Sequence, residues 1–266
     1  MTQDVHLLVD VGNSRIKWNR AIAGNEPPQQ PASAFAWDLE LLPTLLDNNW
    51  RSLQGVTKIS IASVAGEKVQ SMLSQWCADH LQIHPQFVAT SQQFGNIKNG
   101  YDDYQSLGVD RWLAIIAAHH LHPAAANIVI DCGSATTVDV VLPTGEHWPG
   151  PIMFGQQTMI DSLLSRTDLA KYLSDQKSEA ENQPPQAIVR NTKSAILSGA
   201  KFATVKALEA IVSEIEAQLP QLSNINLIAT GGAAQNVMAL STLSTRKEYL
   251  NEPDLVLKGL ACFLEI

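Results

Sequence analysis

The sequence contains two similar phrases, LVDVGNS at Leu8–Ser14 and VIDCGSATTVD at Val129–Asp139. In each, a hydrophobic run typical of a buried strand ends in Asp-x-Gly and continues into small hydroxyl or amide residues. Glycine lets backbone N–H groups approach oxygen atoms closely, so a strand that delivers a carboxylate into such a turn suits a polyphosphate with its metal. The two turns lie about 120 residues apart, which predicts two similar halves that face one nucleotide.

Strands and helices follow in a similar order around each phrase. The first half predicts strands at 5–9, 14–18, 58–64 and 85–89, and helices within 38–50, after Gly66 and at 110–121. The second half predicts strands at 127–130, 137–142 and 225–229, and helices at 158–173, 194–219 and from 255 onward. Residues 24–31 and 174–185 are expected to be loops. This order predicts an α/β fold with a mixed sheet and flanking helices in each half, and a cleft between the halves.

Composition favours a globular protein that binds a small ligand. The chain has 266 residues, of which 45% are hydrophobic, and this is enough to build a substantial core. The net charge of -8 argues against nucleic acid as a partner, because nucleic-acid binding needs a basic face. No apolar run reaches the roughly 18 residues of a membrane span. Three cysteines (Cys77, Cys132 and Cys262) lie far apart, so we expect buried thiols in a cytoplasmic protein rather than disulfides or a zinc site.

The first turn has the groups that a bound phosphate requires. The Asp10 carboxylate could face Mg²⁺ or its waters, while Asn13 and backbone N–H groups face phosphate oxygens. Lys17 follows three residues after Ser14 and could act as a point charge. A third glycine turn, Thr230–Gly232, follows a predicted strand and could pass under a nucleoside or be a simple turn.

The segment Leu107–Arg111 has two interpretations. It leads from the polar stretch 96–108 into a helix, and helix N-termini are common sites of anion chemistry. Asp110 could cap the helix, with Arg111 as its neighbour on the surface. Alternatively, Asp110 could accept a proton from a substrate alcohol while Arg111 binds a carboxylate.

Two other features have structural interpretations. His119, His120 and His122 cluster at the end of the same helix. A metal site is conceivable there, but cations near a helix C-terminus are the favoured interpretation. Asp139 is interpreted as a solvated strand end without a role.

Several phrases together resemble the type III pantothenate kinases, which belong to the superfamily of acetate kinase, sugar kinases, Hsp70 and actin. The matching phrases occur in the order of that family and span almost the whole chain. They are Asp10–Lys17, Tyr101–Arg111, Asp131–Thr137, Asn191–Gly199, Thr230–Gly232 and Leu257–Leu260.

The resemblance implies a fold, a reaction and partners. The fold would comprise two ribonuclease H-like (actin-like ATPase) halves, residues 1–123 and 124–266, with the nucleotide cleft between them. The reaction would be ATP-dependent phosphorylation of pantothenate, the first step of coenzyme A biosynthesis. The cofactors would be ATP, Mg²⁺ and a monovalent cation, K⁺ or NH₄⁺. The protein would be a homodimer in the cytoplasm, with no nucleic-acid or membrane partner.

The resemblance also implies roles for individual residues. The ATP-binding residues would be Asp10, Val11, Gly12, Asn13, Ser14, Arg15, Ile16, Lys17 and Ser134. The pantothenate-binding residues would be Tyr101, Gly108, Val109, Asp110, Arg111 and Thr192. Asp110 would be the catalytic base, and Asp131 would ligate the monovalent cation.

The chain departs from the family pattern at four places. Tyr104 replaces a usual proline, while Ser14 and Ser134 replace threonines and keep the hydroxyl group. The glycine-rich loop of the family survives only as PGPIMFG at Pro149–Gly155. Two alternatives to the pantothenate kinase therefore stay open: an ATP-binding regulator related to the Bvg accessory factor, and a kinase for another small alcohol.

Overall fold

The computed structural model describes residues 5–22, 30–172, 184–222, 224–246 and 248–263. Most of the expected loops at 24–31 and 174–185 lies outside these ranges. The chain forms two compact units. The first unit comprises residues 1–123, 141–148 and 254–266, and the second comprises 124–140 and 149–253.

The elements are numbered in chain order. The strands are β1 (Val5–Val11), β2 (Arg15–Ile22), β3 (Ser33–Ala36), β4 (Val56–Ser63), β5 (Gln86–Phe87), β6 (Gln93–Phe94), β7 (Ile97–Lys98), β8 (Ala126–Cys132), β9 (Ala135–Val141), β10 (His147–Phe154), β11 (Ile225–Thr230) and β12 (Tyr249–Asn251). The α-helices are α1 (Leu42–Trp50), α2 (Glu67–Leu81), α3 (Val109–Leu121), α4 (Gln156–Ser165), α5 (Thr192–Ala217), α6 (Ala234–Ala239) and α7 (Leu255–Cys262).

Two five-stranded sheets have the same topology. Their strand orders are β3-β2-β1-β4-β5 and β10-β9-β8-β11-β12, so each strand of one sheet has a counterpart in the other. In the first sheet β2 runs antiparallel to β1, whereas β4 runs parallel to it. In the second sheet β11 runs parallel to both β8 and β12. The prediction of two similar α/β halves with mixed sheets is confirmed.

Hydrophobic patterning explains why β1 and β8 are central strands. Leu7, Leu8 and Val9 are all completely buried, which is typical of a strand covered on both faces. By contrast, β2 alternates between buried and more exposed positions, and its buried side chains include Ile16 and Trp18. The apolar runs that precede both Asp-x-Gly turns are therefore fixed within their sheets.

Tryptophans contribute to the core of the first unit. Trp50 contacts Trp18 and Trp76 edge-on, with ring centroids 6.2 and 6.0 Å apart. The Trp76 indole N–H donates to Asp47 at 3.0 Å. These rings stabilise the packing of β2, α1 and α2, as expected for core residues rather than for a base-stacking surface.

Helix α7 packs against α3 within the first unit. A Cβ atom on Gly259 of α7 would overlap the backbone of Leu113 in α3, so a side chain here would separate the two helices. Ten of the 13 residues of α3 are buried. Helix α3 is thus buried on most of its surface, and these contacts fix the position of its first residues.

Some predicted elements differ from the structure. The helix predicted at 158–173 is α4 followed by a separate 3₁₀ turn at Asp168–Tyr172. Strand β10 was not predicted, because Pro149 and Pro151 are typical of loops. β10 lies at the edge of its sheet, where missing N–H groups are tolerated. None of the helices in the described ranges has the length and apolar character needed to cross a bilayer.

Candidate functional site

The first Asp-x-Gly turn closes the hairpin between β1 and β2. The Gly12 N–H donates to the Arg15 carbonyl at 3.0 Å, and the Trp37 indole N–H donates to the Gly12 carbonyl at 3.0 Å. Asp10 lies directly opposite Lys17 in the strand register. A carboxylate and an ammonium group therefore project from the same face of the sheet beside the turn.

The eight residues predicted to contact ATP phosphates differ in exposure. Val11 and Ile16 are completely buried, so only their backbone atoms could reach a ligand. The other six, which are exposed or half-buried, are Asp10, Gly12, Asn13, Ser14, Arg15 and Lys17. The turn thus offers small polar side chains, backbone groups and two cationic side chains to an anion.

Asp110 is held at the start of α3 by its neighbours. It is the second residue of the helix, and Gly108 is the N-cap residue. The backbone N–H of Arg111 donates to Asp110 Oδ1 at 2.8 Å. A Cβ atom on Gly108 would lie 2.6 Å from the same oxygen, so glycine leaves room for the carboxylate. The interpretation of Asp110 as the helix N-cap is wrong.

Arg111 and Tyr101 form a pair inside the first unit. Arg111 is only 6% exposed, and its Nη1 donates to the Tyr101 hydroxyl at 2.7 Å. The guanidinium carbon lies 5.6 Å from the centre of the tyrosine ring. Arg111 is therefore not a surface neighbour of Asp110, as one interpretation of the sequence assumed. The Tyr101 oxygen accepts from Arg111 and can still donate its own hydrogen to a carboxylate.

Val64 connects the first turn with the start of α3. It follows β4, and its N–H donates to the Val11 carbonyl at 3.1 Å. Its side chain lies 4.0 Å from the position that a Gly108 Cβ atom would occupy. Thr90 also holds this region, because its hydroxyl donates to the Leu107 carbonyl at 2.8 Å. The phosphate-binding candidates and Asp110 thus lie at the same end of the first sheet.

The second Asp-x-Gly turn is surrounded by glycines of the second unit. A Cβ atom on Gly231 would overlap the Asp131 carboxylate and lie 2.5 Å from the Cys132 carbonyl oxygen. On the other side, a Cβ atom on Gly155 would overlap the Gly133 carbonyl. Gly231 has φ +91°, which favours glycine. The Asp131 carboxylate and the Cys132 carbonyl oxygen therefore both lie close to Gly231. The third glycine turn thus packs against the second.

The two remaining predicted residues also lie in the second unit. Ser134 is exposed, and its carbonyl accepts from the Gly155 N–H at 3.0 Å and the Thr158 hydroxyl at 2.7 Å. Thr192 is the first residue of α5, and Asn191 caps that helix by accepting the Ser194 N–H at 2.8 Å. Thr192 thus lies at a helix N-terminus, where anions are favoured.

The altered loop at Pro149–Gly155 is mostly strand. Its residues from Pro149 to Phe154 belong to β10. The Gly150 N–H donates to Asp139 at 3.4 Å. Asp139 is 2% exposed, so its interpretation as a solvated strand end is wrong. Its burial could not be predicted from the sequence, because the apolar residues on either side of Asp139 are typical of any strand.

His119 is not a cation at the end of α3. It is buried, and desolvation lowers the pKa of its imidazole. Its Nε2 lies 3.2 Å from the side-chain nitrogen of Asn96. No group of three His, Cys, Asp or Glu side chains within the described ranges could hold a metal ion together.

Solved structures with the same fold include a dehydratase activator and an actin homologue. The Clostridium difficile activator of 2-hydroxyisocaproyl-CoA dehydratase aligns with a TM-score of 0.54 at 11% identity, over 99% of this chain and 94% of that one. The archaeal actin homologue Ta0583 aligns with a TM-score of 0.51 at 14% identity, over 98% and 99%. These similarities establish an actin-like fold.

Sequence comparisons are more specific. A family model described as type III pantothenate kinase matches residues 6–214. A type III pantothenate kinase of Nitrosococcus oceani is 31% identical over 264 residues, covering 96% of this chain and 92% of the relative. One of Pseudoalteromonas translucida is 31% identical, covering 98% and 96%. The chain therefore belongs to the type III pantothenate kinase family.

Proposed function

We propose that this chain transfers the γ-phosphoryl group of ATP to the primary alcohol of pantothenate, with Asp110 as the general base. ATP-dependent phosphorylation of pantothenate, the first step of coenzyme A biosynthesis, is the activity of the family to which the chain belongs. The observation that carries the residue assignment is the arrangement of Asp110 beside the Arg111–Tyr101 pair. It combines a proton acceptor with two groups that can bind a carboxylate.

The first turn binds the phosphates of ATP in this proposal. Gly12 permits close approach of backbone groups, Asn13 and Ser14 donate hydrogen bonds, and Lys17 and Arg15 supply positive charge. Val11 and Ile16 contribute through their backbone. Ser134 of the second turn contributes an exposed hydroxyl group.

The start of α3 binds pantothenate. Arg111 and the Tyr101 hydroxyl bind the carboxylate, while Gly108 and Val109 form the backbone next to the reacting alcohol. Thr192 contributes a hydroxyl group. Binding both ends of the substrate orients its alcohol, and orientation supplies much of the catalysis in phosphoryl transfer.

Asp110 accepts the proton of the pantothenate alcohol while the oxygen of that alcohol attacks the γ-phosphorus of ATP. The Arg111 N–H bond to Oδ1 at 2.8 Å orients the carboxylate. Gly108 leaves room for the carboxylate, because a Cβ atom there would lie 2.6 Å from Oδ1. The proton leaves the oxygen during transfer and remains on the Asp110 carboxyl group.

Two cations complete the proposed site. The Asp10 carboxylate is the oxygen ligand that Mg²⁺ prefers, and Mg²⁺ neutralises developing phosphate charge. Asp131 would hold K⁺ or NH₄⁺, because the nearby Cys132 carbonyl oxygen adds a neutral oxygen donor to the anionic carboxylate. K⁺ is commonly bound by such carbonyl oxygens.

The proposed enzyme is a homodimer in the cytoplasm. Ile152 and Phe154 are 61% and 62% exposed, and they project from the same face of β10 at the edge of the sheet. A second copy that covers this apolar face would remove it from water. The three cysteines are free and buried, in keeping with a reducing compartment. Replacing both Ile152 and Phe154 by serine should shift the mass measured by light scattering from dimer to monomer.

The decisive test is ADP release with pantothenate as the acceptor. Asp110→Asn should lower kcat about 1,000-fold, within the usual range for a general base, while the KM for pantothenate changes little. Asp102→Asn is the matched control, because Asp102 is an exposed carboxylate in the segment that leads from Tyr101 to α3. Undiminished turnover in Asp110→Asn would exclude the base assignment.

The same assay tests the monovalent cation. Turnover should require K⁺ and should fall when Na⁺ replaces it at equal ionic strength, and Asp131→Asn should abolish this dependence. Absence of turnover in either salt, from protein that is folded by circular dichroism, would favour the ATP-binding regulator.

A further inference from the structure

The turn between β9 and β10 lies against the loop that carries Tyr101, and both belong to the first unit. A Cβ atom on Gly145 would overlap the Asn96 carbonyl, so the two backbones are in close contact. The Lys98 N–H donates to the Gly145 carbonyl at 2.9 Å. These contacts fix the loop a few residues before the proposed pantothenate pocket.

His147 makes a further contact nearer to that pocket. Its side chain is buried at 1% exposure, and its Nδ1 accepts the Gly100 N–H at 3.2 Å. Gly100 immediately precedes Tyr101. A side chain at the first position of β10 therefore holds the peptide that leads into Tyr101.

Further hydrogen bonds connect Tyr101 with Asn99 and with Arg111, the proposed substrate-binding arginine. The Tyr101 N–H donates to Asn99 Oδ1 at 3.0 Å, so hydrogen bonds hold this segment at two successive peptides. The Tyr101 hydroxyl accepts from Arg111 at 2.7 Å. Displacement of Gly100 would thus move the tyrosine ring relative to the guanidinium group.

We propose that His147 is a positioning residue for pantothenate recognition. By accepting the Gly100 N–H, it places the Tyr101 hydroxyl where that group and Arg111 bind one carboxylate together. The inference rests on the proposed function, since it names a determinant of selectivity for the substrate carboxylate. Its effect belongs to substrate discrimination and not to transfer of the phosphoryl group, because neither His147 nor Gly100 is proposed to touch the reacting atoms.

Two substitutions separate positioning from packing. His147→Asn keeps an acceptor oxygen at the place of Nδ1, whereas His147→Leu has a similar volume and no acceptor. A role in packing alone would make Leu the milder change. A positioning role makes Asn the milder one.

The measurement compares pantothenate with pantothenyl alcohol, in which a hydroxymethyl group replaces the carboxylate. In His147→Leu we expect the KM for pantothenate to rise about tenfold, the cost of one lost hydrogen bond at roughly 1.4 kcal/mol. The kcat/KM for pantothenate divided by the kcat/KM for pantothenyl alcohol should fall by a similar factor. The kcat and the KM for ATP should stay within about twofold of those of the unmodified protein. His147→Asn should retain the selectivity of the unmodified protein.

Hydrogen exchange of the Gly100 amide supplies a readout that needs no turnover. We expect faster exchange in His147→Leu than in His147→Asn. Equal exchange in the two variants, or an unchanged selectivity ratio in His147→Leu, would overturn the inference. If only the Leu variant fails to fold, His147→Gln replaces it. The amide oxygen of this glutamine lies one bond further from the backbone, so we expect the variant to lose the selectivity for pantothenate. Absence of pantothenate turnover in the unmodified protein would instead count against the proposed function.

Discussion

The two Asp-x-Gly turns differ by one residue in the hydrogen bond that closes them, and they also differ in their surroundings. The Gly12 N–H donates to the Arg15 carbonyl at 3.0 Å, and the Gly133 N–H donates to the Ala135 carbonyl at 2.9 Å. A Cβ atom on either glycine would lie 3.5 Å from that acceptor oxygen, which is ordinary contact. The two glycines thus have similar free space, and a further difference between the turns comes from the residues around them.

The tips of both turns are exposed, but neighbouring glycines contact the backbone of the second turn more closely, so we call the first turn open and the second turn packed. Asn13 and Ser14 are exposed, and a carboxylate and a lysine lie opposite each other beside them. At the second turn, Gly155 and Gly231 press against the backbone and against Asp131. β9 contains no lysine. A repeated sequence motif thus forms two turns that differ in their closing hydrogen bond and in their neighbouring residues.

The largest expected effect is on the packed turn. Gly231→Ala should lower the free energy of unfolding by about 2–4 kcal/mol, because the new Cβ atom overlaps Asp131 and the left-handed backbone is strained. Gly12→Ala, a glycine-to-alanine change within the open turn, should cost less than about 1 kcal/mol. Urea denaturation of both variants measures the difference. Equal losses would show that the second turn is no more tightly packed than the first.

The next effect separates the turns by charge. Lys17→Met should raise the KM for ATP about tenfold, since a charge-assisted phosphate contact contributes roughly 1.5 kcal/mol. Arg20→Met is the control, because Arg20 is an exposed cation on the same strand. Steady-state kinetics with varied ATP provides the comparison. A similar rise in both variants would indicate general electrostatic attraction in place of a local site.

A smaller effect is expected from crowding the open turn. Gly12→Ala should raise the KM for ATP about fivefold, corresponding to about 1 kcal/mol, because its methyl group would separate the backbone from phosphate oxygens. The KM for pantothenate should stay unchanged. Kinetics with each substrate varied in turn tests this, and an unaltered KM for ATP would remove Gly12 from the proposed phosphate site.

The smallest effect concerns the middle residue of the packed turn. Burial, with a further contribution from the Asp131 charge, raises the pKa of Cys132 to about 12 from 9.0. Because the folded state holds this proton more tightly, the stabilisation is complete below pH 9 and declines as pH rises from 9 toward 12. Cys132→Val, which copies Val11 of the first turn, should change stability at pH 7 by less than about 1.5 kcal/mol.

The alkaline decline gives the sharper measurement. Between pH 9 and 10.5, the Cys132→Val variant should lose less stability than the unmodified protein in urea denaturation. Cys77→Val serves as the comparison, since burial also raises the pKa of that thiol to about 12 at a position outside either turn. An identical alkaline decline in the unmodified protein and in Cys132→Val would mean that folding does not raise the pKa of the Cys132 thiol.

Local sequence patterns predicted the elements that define the fold. The buried runs before Asp10 and Asp131, and the alternation after Ser14, correctly indicated strands joined by tight turns. β10 could not be predicted in this way, because its prolines argue against a strand unless its position at the sheet edge is known. Sequence periodicity carries no information on which strand becomes an edge.

The site was predictable by residue type but not by contact. The motif Leu107–Arg111 indicated a carboxylate and an arginine at a helix start, yet burial of Arg111 against Tyr101 depends on tertiary structure. Likewise, Gly231 lies 100 residues after Asp131 in the sequence, and only the parallel pairing of β8 with β11 brings them together. Gly100 and His147 are separated in a similar way.

The return of α7 to the first unit constrains how the protein is made. Synthesis proceeds from the N-terminus, so the second unit leaves the ribosome before α7 does. Until then, the face of α3 that receives Gly259 stays uncovered in the nascent chain. The first unit to be translated therefore completes its core last, and the nascent chain exposes apolar surface of the kind that chaperones recognise.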